Sequence, residues 1–331
     1  MPIVTITIAA RNEEKNIEKS LSSALNQSYS PIEVFLIDDL SSDKTSEVAR
    51  NVYRNYKGGA KLTIVRNEKN LGFGGSHNKG MSMASGEFIL CLNADCELDK
   101  NYVKYAVESL RADNSLAGIQ GKLFNPRTNR IDTAGLVIFR NRRSINRGQG
   151  EKDEGQYEKE EEVWGIDGAA PVYRKKSLES AKIGNEYFDE DFFAYKEDVD
   201  LSWRMRLFGW KFIYQPKCVG YHDRSAGEGT SKKFKEIIEA RKKISDFAKI
   251  HSFTNQRLME IKNETPRTFL RYALLIFVKE AASWSYVLNY EKYGWKSAVD
   301  FFRLCPRAWR KRKYVMANKK VSDAEIGGWF C

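Results

Sequence analysis

Three times within the first hundred residues an apolar strand pattern runs out into polar residues and then yields to helical spacing. No other feature of the chain constrains its fold as tightly. Ile6, Ile8 and Ala9-Ala10 lead into Arg11-Asn12-Glu13-Glu14, after which Ile17, Leu21 and Ala24-Leu25 recur at helical intervals. Ile32 to Ile37 reads as a second strand ending in Asp38-Asp39, with Ser41-Ser42-Asp43 as cap material for a helix carrying Val48, Ala49 and Val52. A third unit starts at Leu62-Thr63-Ile64-Val65, and a further strand, Glu87 to Leu92, ends in Asn93-Ala94-Asp95. Strands alternating with helices build a parallel sheet with right-handed crossovers, which binds ligands outside the carboxyl ends of its strands. Arg11, Asp38, Asp39, Asn67 and Asp95 should therefore converge on one crevice.

A chain of 331 residues accommodates one main domain and an appendage. Its 42% hydrophobic content, with 12% aromatics, excludes disorder for most of the length. The net charge of +11 attracts anions such as sugar nucleotides, acidic lipid headgroups or nucleic acid. Without zinc-finger spacing, a ribonucleoprotein motif or a helix-turn-helix, nucleic acid is not expected as a partner. Basic residues gather late, from Arg303 through Arg307, Arg310 to Lys313 and Lys319-Lys320, interleaved with Phe301, Phe302, Trp309 and Tyr314. That stretch reads either as a solvated helix face or as a contact for an anionic membrane.

Five cysteines without a Cys-x-x-Cys pair argue against a complete disulfide framework and fit a reducing cytoplasm. The first residues enter strand pattern directly, without a basic leader and apolar signal core. The longest apolar run, Tyr272 to Val278, is bracketed by Arg271 and Lys279 and falls far short of the roughly 20 residues of a spanning helix. The expected location is cytoplasmic, with peripheral contact at the cytoplasmic face of a membrane.

Farther along, residues 116–147 read as short strands and turns, and the acidic stretch from Glu151 to Glu162 as a solvated loop. Small residues in Val163 to Ala170 predict close backbone approach. Asp198 to Arg204 opens a helix that Gly209 ends. Lys211 to Tyr214 and Cys218 to His222 read as two successive strands. Residues 1–228 then form a catalytic domain and 229–331 a helical region.

Several groups carry chemistry. Asp95, just past a strand, could bridge a hard divalent cation to phosphate oxygens, although turn or cap duty is the plainer role. His222 ends an apolar strand before an exposed loop; as a ligand beside a carboxylate it suits manganese somewhat better than magnesium, and as a surface histidine it does nothing. Asn70 to Gly80 looks like a dinucleotide fingerprint, but His77 stands where the third glycine belongs. Glycines at a helix start still expose amides to an anion. Glu197 and Asp198 sit at a helix N-terminus, which favours ionised carboxylates. Capping would account for either, while a carboxylate aimed at a hydroxyl could act as general base.

Taken together, Ala9 to Glu13, Val34 to Asp39 with Ser41-Ser42, Asn70 to Gly80, Leu92 to Asp95, Gly168-Ala169-Ala170 and Tyr195 to Arg204 resemble glycosyltransferase family 2. The Asn-x-Gly-Phe-Gly-Gly and Glu-Asp-Val-Asp-Leu segments look most like its bacterial-type rhamnosyltransferase branch. The resemblance covers roughly residues 1–225. It implies a GT-A fold, that is, an α/β Rossmann-like nucleotide-binding domain with a mostly parallel central sheet, here with a helical appendage. It also implies Mn2+ or Mg2+, inversion by direct displacement, a dTDP-rhamnose or UDP-hexose donor, and a saccharide or lipid-linked acceptor. By that similarity Ala10, Arg11, Glu13, Asp38, Asp39, Asn67, Gly74, Asn78, Asn93 and Ala94 hold the nucleotide. Asp95, Trp164, Gly168, Ala169, Glu197 and Trp203 face the sugars, Asp95 and His222 bind the metal, and Asp198 is the base. The chain departs from the family at Asn93, where many members carry Asp, and at His77, often Gly or Asn.

Two enzymes of related fold fit less well. A sugar-1-phosphate nucleotidyltransferase should show Gly-x-Gly-Thr-Arg where this chain has Ala9-Ala10-Arg11-Asn12-Glu13, and a polymerising synthase should show several spanning helices and Gln-x-x-Arg-Trp. From a different class, a non-catalytic carbohydrate-binding scaffold is the alternative. The helical region leaves a homodimer open.

Overall fold

The computed structural model describes residues 1–224, 238–239 and 241–331. At its centre β1 (Val4–Ala10), β2 (Ile32–Asp38), β3 (Lys61–Arg66) and β4 (Phe88–Asn93) form a parallel array in the order β4-β1-β2-β3. Strands β1, β2 and β4 are buried along nearly their whole length, which is why they read as apolar runs rather than alternating ones. The crossover helices are α1 (Ile17–Leu25), α2 (Thr45–Asn55) and α3 (Gly72–Met83). Register does the positioning: Ala10 lies beside Asp38, Asp38 beside Arg66, and Ala9 beside Asn93. The polar strand ends are thus collected along one edge.

The second half extends the sheet. After the short β5 (Cys96–Leu98) and α4 (Tyr102–Ala112) come β6 (Leu116–Asn125), β7 (Arg130–Thr133) and a small hairpin of β8 (Leu136–Ile138) and β9 (Ser144–Asn146). β10 (Glu161–Val163) lies at the outer edge, and β11 (Val172–Arg174) joins the halves by running antiparallel to both β4 and β6. Helices α5 (Lys175–Ala181) and α6 (Glu197–Leu207) follow, with Gly209 at φ 87° just beyond the latter. The two strands expected at 211–222 are one strand, β12 (Lys211–His222), whose register with β6 shifts between Gln215 and Val219. Pro216 falls in that interval, and a residue without an N–H is accommodated at such an irregularity. The strand continues past it and pairs His222 with Cys96.

The acidic stretch is not a free loop. Lys122, itself nearly buried, binds Asp153 at 3.0 Å and Glu158; Arg147 binds Glu161 at 2.6 Å, Arg206 binds Glu162, and Gln215 binds Glu160. A buried ammonium needs counter-charge, and the acids supply it by lying across the sheet edge.

From residue 246 onward the described chain forms α7 (Asp246–Asn263), α8 (Pro266–Tyr290), α9 (Gly294–Ala317) and α10 (Asp323–Gly328). Ser245, Thr265 and Ser322 cap α7, α8 and α10 by accepting amides of the first turn, and Pro266 takes the first position of α8, where no N–H is needed. Helix α8 is kinked at Tyr272. Helices α7 and α9 are tied to residues 186–200 by buried charge: Lys262 binds Asp189 and Asp200, Asn263 binds Asp200, and Lys311 binds Glu186, Asp189 and Asp191. The chain end pairs with the hairpin, Cys331 donating its amide to the Ile138 carbonyl and Arg140 donating to that of Cys331. Among the described residues no helix is long and apolar enough to cross a membrane.

Breaking a buried ion pair by removing one partner costs about 3–5 kcal/mol, because the other charge stays buried. Lys262→Met should therefore lower unfolding stability in urea by about that amount. A loss below about 1 kcal/mol, typical of exposed pairs, would show that the helices are not held by these charges.

Candidate active site

The first cluster forms where β12 delivers His222 beside the turn after β4. His222 Nε2 lies 3.3 Å from an Asp95 carboxylate oxygen and 3.4 Å from the Asn93 amide nitrogen. Its Nδ1 is 2.8 Å from Asp132. Arg224 grips the same Asp132 carboxylate with two nitrogens, at 2.8 and 3.1 Å, and reaches Asp167 at 2.9 Å. Burial alone would lower the His222 pKa, but hydrogen bonding to Asp132 and Asp95 outweighs it and pushes it up to about 9. Burial works the other way on Asp132, and there His222 and Arg224 win, holding that carboxyl well below the usual range. Glu13 also belongs here, its carboxyl raised by burial and, more weakly, by the Asp95 charge.

This donor set fits a divalent cation. With the Nδ1 proton committed to Asp132, a neutral His222 presents the Nε2 lone pair toward Asp95, the arrangement in which an outer carboxylate orients a ligating imidazole. Among the described residues no group of three or more His, Cys, Asp and Glu is gathered as a ligand cage. Two protein donors suit an ion shared with phosphate oxygens.

The second cluster lies across residues 167–169. Asp198, half-buried at the start of α6, accepts the Gly168 amide at 3.0 Å and the Val199 amide at 2.7 Å. Gly168 is followed by Ala169, whose carbonyl accepts the Asn93 amide at 2.8 Å. One short segment thus touches both clusters. Burial raises the Asp198 pKa to about 6, with the charge of Asp167 adding to it. Burial and the Asp198 charge raise Glu197 to about 8, and one of its carboxylate oxygens has no hydrogen-bond partner. Burial thus favours the protonated form of both, and of Glu197 more than of Asp198. Lys196 donates to Ser144 at 2.8 Å, and burial depresses its ammonium.

The backbone that presents Asp198 is strained. Phe193, Tyr195 and Lys196 have φ of 60°, 71° and 73°. The Asn255 side-chain nitrogen, from α7, lies 2.8 Å from the carbonyl oxygens of Phe192, Ala194 and Tyr195. Gly72, at φ +71°, lets this loop come close, since a Cβ there would sit 2.3 Å from the Phe193 carbonyl oxygen.

The strand-end groups form a third region. Asp38 is fully buried; hydrogen bonds from Ser46 and Ser41 and the charge of Arg66 at 3.1 Å overcome burial and hold it below its usual range. Asp39 accepts the amides of Leu71 at 2.8 Å and Gly72 at 2.9 Å and the side chain of Asn67 at 2.9 Å. The amides exposed at the start of α3 thus already meet an anion, and it is Asp39. Asn67 also receives Lys79 at 2.9 Å.

The remaining residues fall into two groups. Arg11 is exposed at the end of β1, Ala10 and Ala94 are buried in the main core, and Asn93 is half-buried beside His222. Gly74 packs near Phe188, and Asn78 is engaged by both polar atoms of its amide, with Phe188 and Glu190. Trp164 and Trp203 pack edge to face inside the second core, 2% and 1% exposed, so neither ring faces a crevice. His77 is fully buried against Thr7, its Nδ1 2.8 Å from that hydroxyl, and burial lowers its pKa to about 3. Asp132, Arg224 and Asn255 were missed by sequence reasoning. The one available signal was Asn255, a polar residue among the buried Phe253, Thr254 and Leu258 of α7.

A poly-beta-1,6-N-acetyl-D-glucosamine synthase of Staphylococcus epidermidis is 28% identical over 221 residues, covering 65% of this chain and 48% of that protein. The chain thus spans about half the length of the curated relatives it matches, and these are N-acetylglucosamine polymer synthases rather than the rhamnosyltransferases expected from the sequence motifs. A Pyrobaculum calidifontis mannosyltransferase in complex with GDP-Man and Mn2+ superposes with a TM-score of 0.54 at 16% identity, over 96% of this chain and 86% of that one. Residues 1–349 of Staphylococcus aureus TarS in complex with UDP-GlcNAc give 0.57 at 16% identity, over 98% of this chain and 89% of that one. At such identity the likeness is one of fold, and it bears out the expected α/β GT-A architecture with helices appended. The model of the family described as "Glycosyl transferase family 2" matches residues 5–181, more than half of the chain, and this protein belongs to that family.

Proposed function

We propose that this glycosyltransferase inverts the anomeric centre, moving one or a few sugars from a nucleotide-sugar donor to a saccharide or lipid-linked saccharide during cell-surface glycan assembly. The supporting observation is the single segment 167–169, which touches the Asp198 carboxylate on one side and the strand end carrying Asn93, beside His222 and Asp95, on the other. Asp198 takes the proton of the acceptor hydroxyl as its oxygen bonds to the anomeric carbon and the bond to the diphosphate breaks. Burial and the Asp198 charge raise the Glu197 pKa, which favours its neutral form beside the base. Asp95 and His222 would hold a divalent cation, which would supply positive charge to neutralise the departing diphosphate. Asp132 and Arg224 keep the imidazole turned toward Asp95. Mn2+ is the first ion to test, given an imidazole in the donor set.

The donor decides specificity. Of the two classes left open by the sequence, we place UDP-linked sugars first and dTDP-rhamnose second, because the relatives are named for an N-acetylglucosamine polymer and a neighbour of the same fold binds UDP-GlcNAc. A panel of nucleotide sugars screened for hydrolysis ranks them directly.

Calorimetry with UDP, with and without Mn2+, paired with turnover of Asp198→Asn, tests the assignment. Nucleotide binding should persist in the variant while turnover falls about 10²–10⁴-fold, as loss of a general base requires. Glu197→Gln, which copies the protonated acid, should retain most activity. Nucleotide binding with no turnover in the wild type on any donor would favour the scaffold reading.

The pH profile follows from the same pair. Asp198 must be ionised to accept a proton, and its pKa is raised to about 6, so kcat should climb with pH through about 6 and then level off. A rate that stays flat down to pH values near the ordinary carboxylate range of about 4 would remove Asp198 from the role.

A further inference from the structure

Helices α8 and α9 expose an apolar surface on their outer sides. Past the kink in α8, Leu274, Phe277 and Val278 recur at i, i+3 and i+4 and stand 58–75% exposed. On α9, Trp295, Val299, Phe302 and Trp309 recur at i, i+4, i+7 and i+14 and are 53–71% exposed. The Trp284 ring of α8 lies 6.3 Å from that of Phe302 and joins the two stripes. Soluble helices turn such stripes toward a core.

The flanks of this surface are cationic. Residues 266–317 contain eleven Lys and Arg against three acids. Each acid is already paired: Glu280 with Arg257 and Lys279, Glu291 with Arg241, and Asp300 with Arg303. Lys292, Lys296, Arg310 and Lys313 are exposed alongside the stripe. An apolar stripe carrying tryptophans and bordered by basic side chains is the pattern of a helix lying in the plane of a membrane interface.

We propose that the outer faces of α8 and α9 dock on an anionic bilayer, the stripe entering the headgroup boundary and the flanking cations meeting lipid phosphates. Charge complementarity favours this occupant over a second copy of the chain. A two-fold dimer sets the same patch against itself and would bring two net-cationic faces, each carrying Lys296, Arg310 and Lys313, together with no acidic residue of 266–317 left free to answer them. Nothing in this assignment depends on the donor, the acceptor or the role of Asp198.

The test is flotation of the full chain with phosphatidylcholine vesicles, with and without phosphatidylglycerol, at low and high salt, alongside tryptophan quenching by brominated lipid. The wild type should float with the anionic vesicles and show quenching of Trp295 and Trp309. Leu274→Glu combined with Phe277→Glu should reduce binding about tenfold or more, since buried apolar area sets interfacial affinity. Trp295→Phe with Trp309→Phe should keep flotation and lose most of the quenching, and this second variant keeps the stripe apolar. No flotation with anionic vesicles overturns the proposal. So does flotation without quenching, which is adsorption by charge alone, and so does a dimer in sedimentation that the double glutamate variant abolishes while vesicle binding is absent.

Discussion

Asn255 holds three carbonyl oxygens with one side-chain amide, and the geometry of the candidate base depends on that clamp. Phe193, Tyr195 and Lys196 occupy left-handed backbone without being glycine, at a cost on the order of 1–3 kcal/mol each. Strain of that size persists only where surrounding structure fixes it. Asn255 supplies the fixing from α7, Gly72 from the start of α3, and the buried pairs of Lys262 with Asp189 and Asp200 brace the segment on both sides. In return the chain enters α6 with Asp198 directed at Gly168. The C-terminal helices thus form part of the wall that shapes the site.

Charge balance explains why so many ionisable groups can gather there. Asp132, Asp167, Asp95, Glu197 and Asp198 would repel one another if all were ionised and alone. Arg224 answers Asp132 and Asp167, His222 answers Asp132 and Asp95, and burial favours the neutral form of Glu197. A cation entering beside Asp95 would displace the proton on His222 Nε2 and leave Asp132 still satisfied at Nδ1, so the histidine need not turn. A site built this way would exchange a proton for a metal with little reorganisation.

The sequence made the strand ends legible because the chemistry is local. Asp38, Asn93 and Asp95 each follow an apolar run, and parallel pairing sets their neighbours in register without reference to distant residues. The single strand 211–222 was harder, since Pro216 looks like a break and only the pairing on both sides shows the strand continuing. The acidic stretch looked solvated because Lys122, Arg147 and Arg206 lie far from it in sequence. Asp132, Arg224 and Asn255 were invisible for a related reason: each acts through a contact with a residue more than fifty positions away. Trp164 and Trp203 misled in the opposite direction, because an aromatic near a candidate base reads as a sugar platform when it is core packing.

The polarity of the last hundred residues then falls into place. A helix in water ordinarily buries its apolar side and spends its charges outward. Here α7 and α9 spend Lys262 and Lys311 inward, on Asp189, Asp191 and Asp200, because the strained base loop needs rigid anchoring. The outward positions of α8 and α9 carry Leu274, Phe277, Trp295 and Phe302 instead. The inward charges tie α7 and α9 to residues 186–200, which lead into α6, and Glu280 and Lys279 tie α8 to α7, so whatever covers the outer stripe is joined through these helices to the backbone that presents Asp198. An occupant of that face would therefore fix how the candidate site around Asp198 is oriented relative to it.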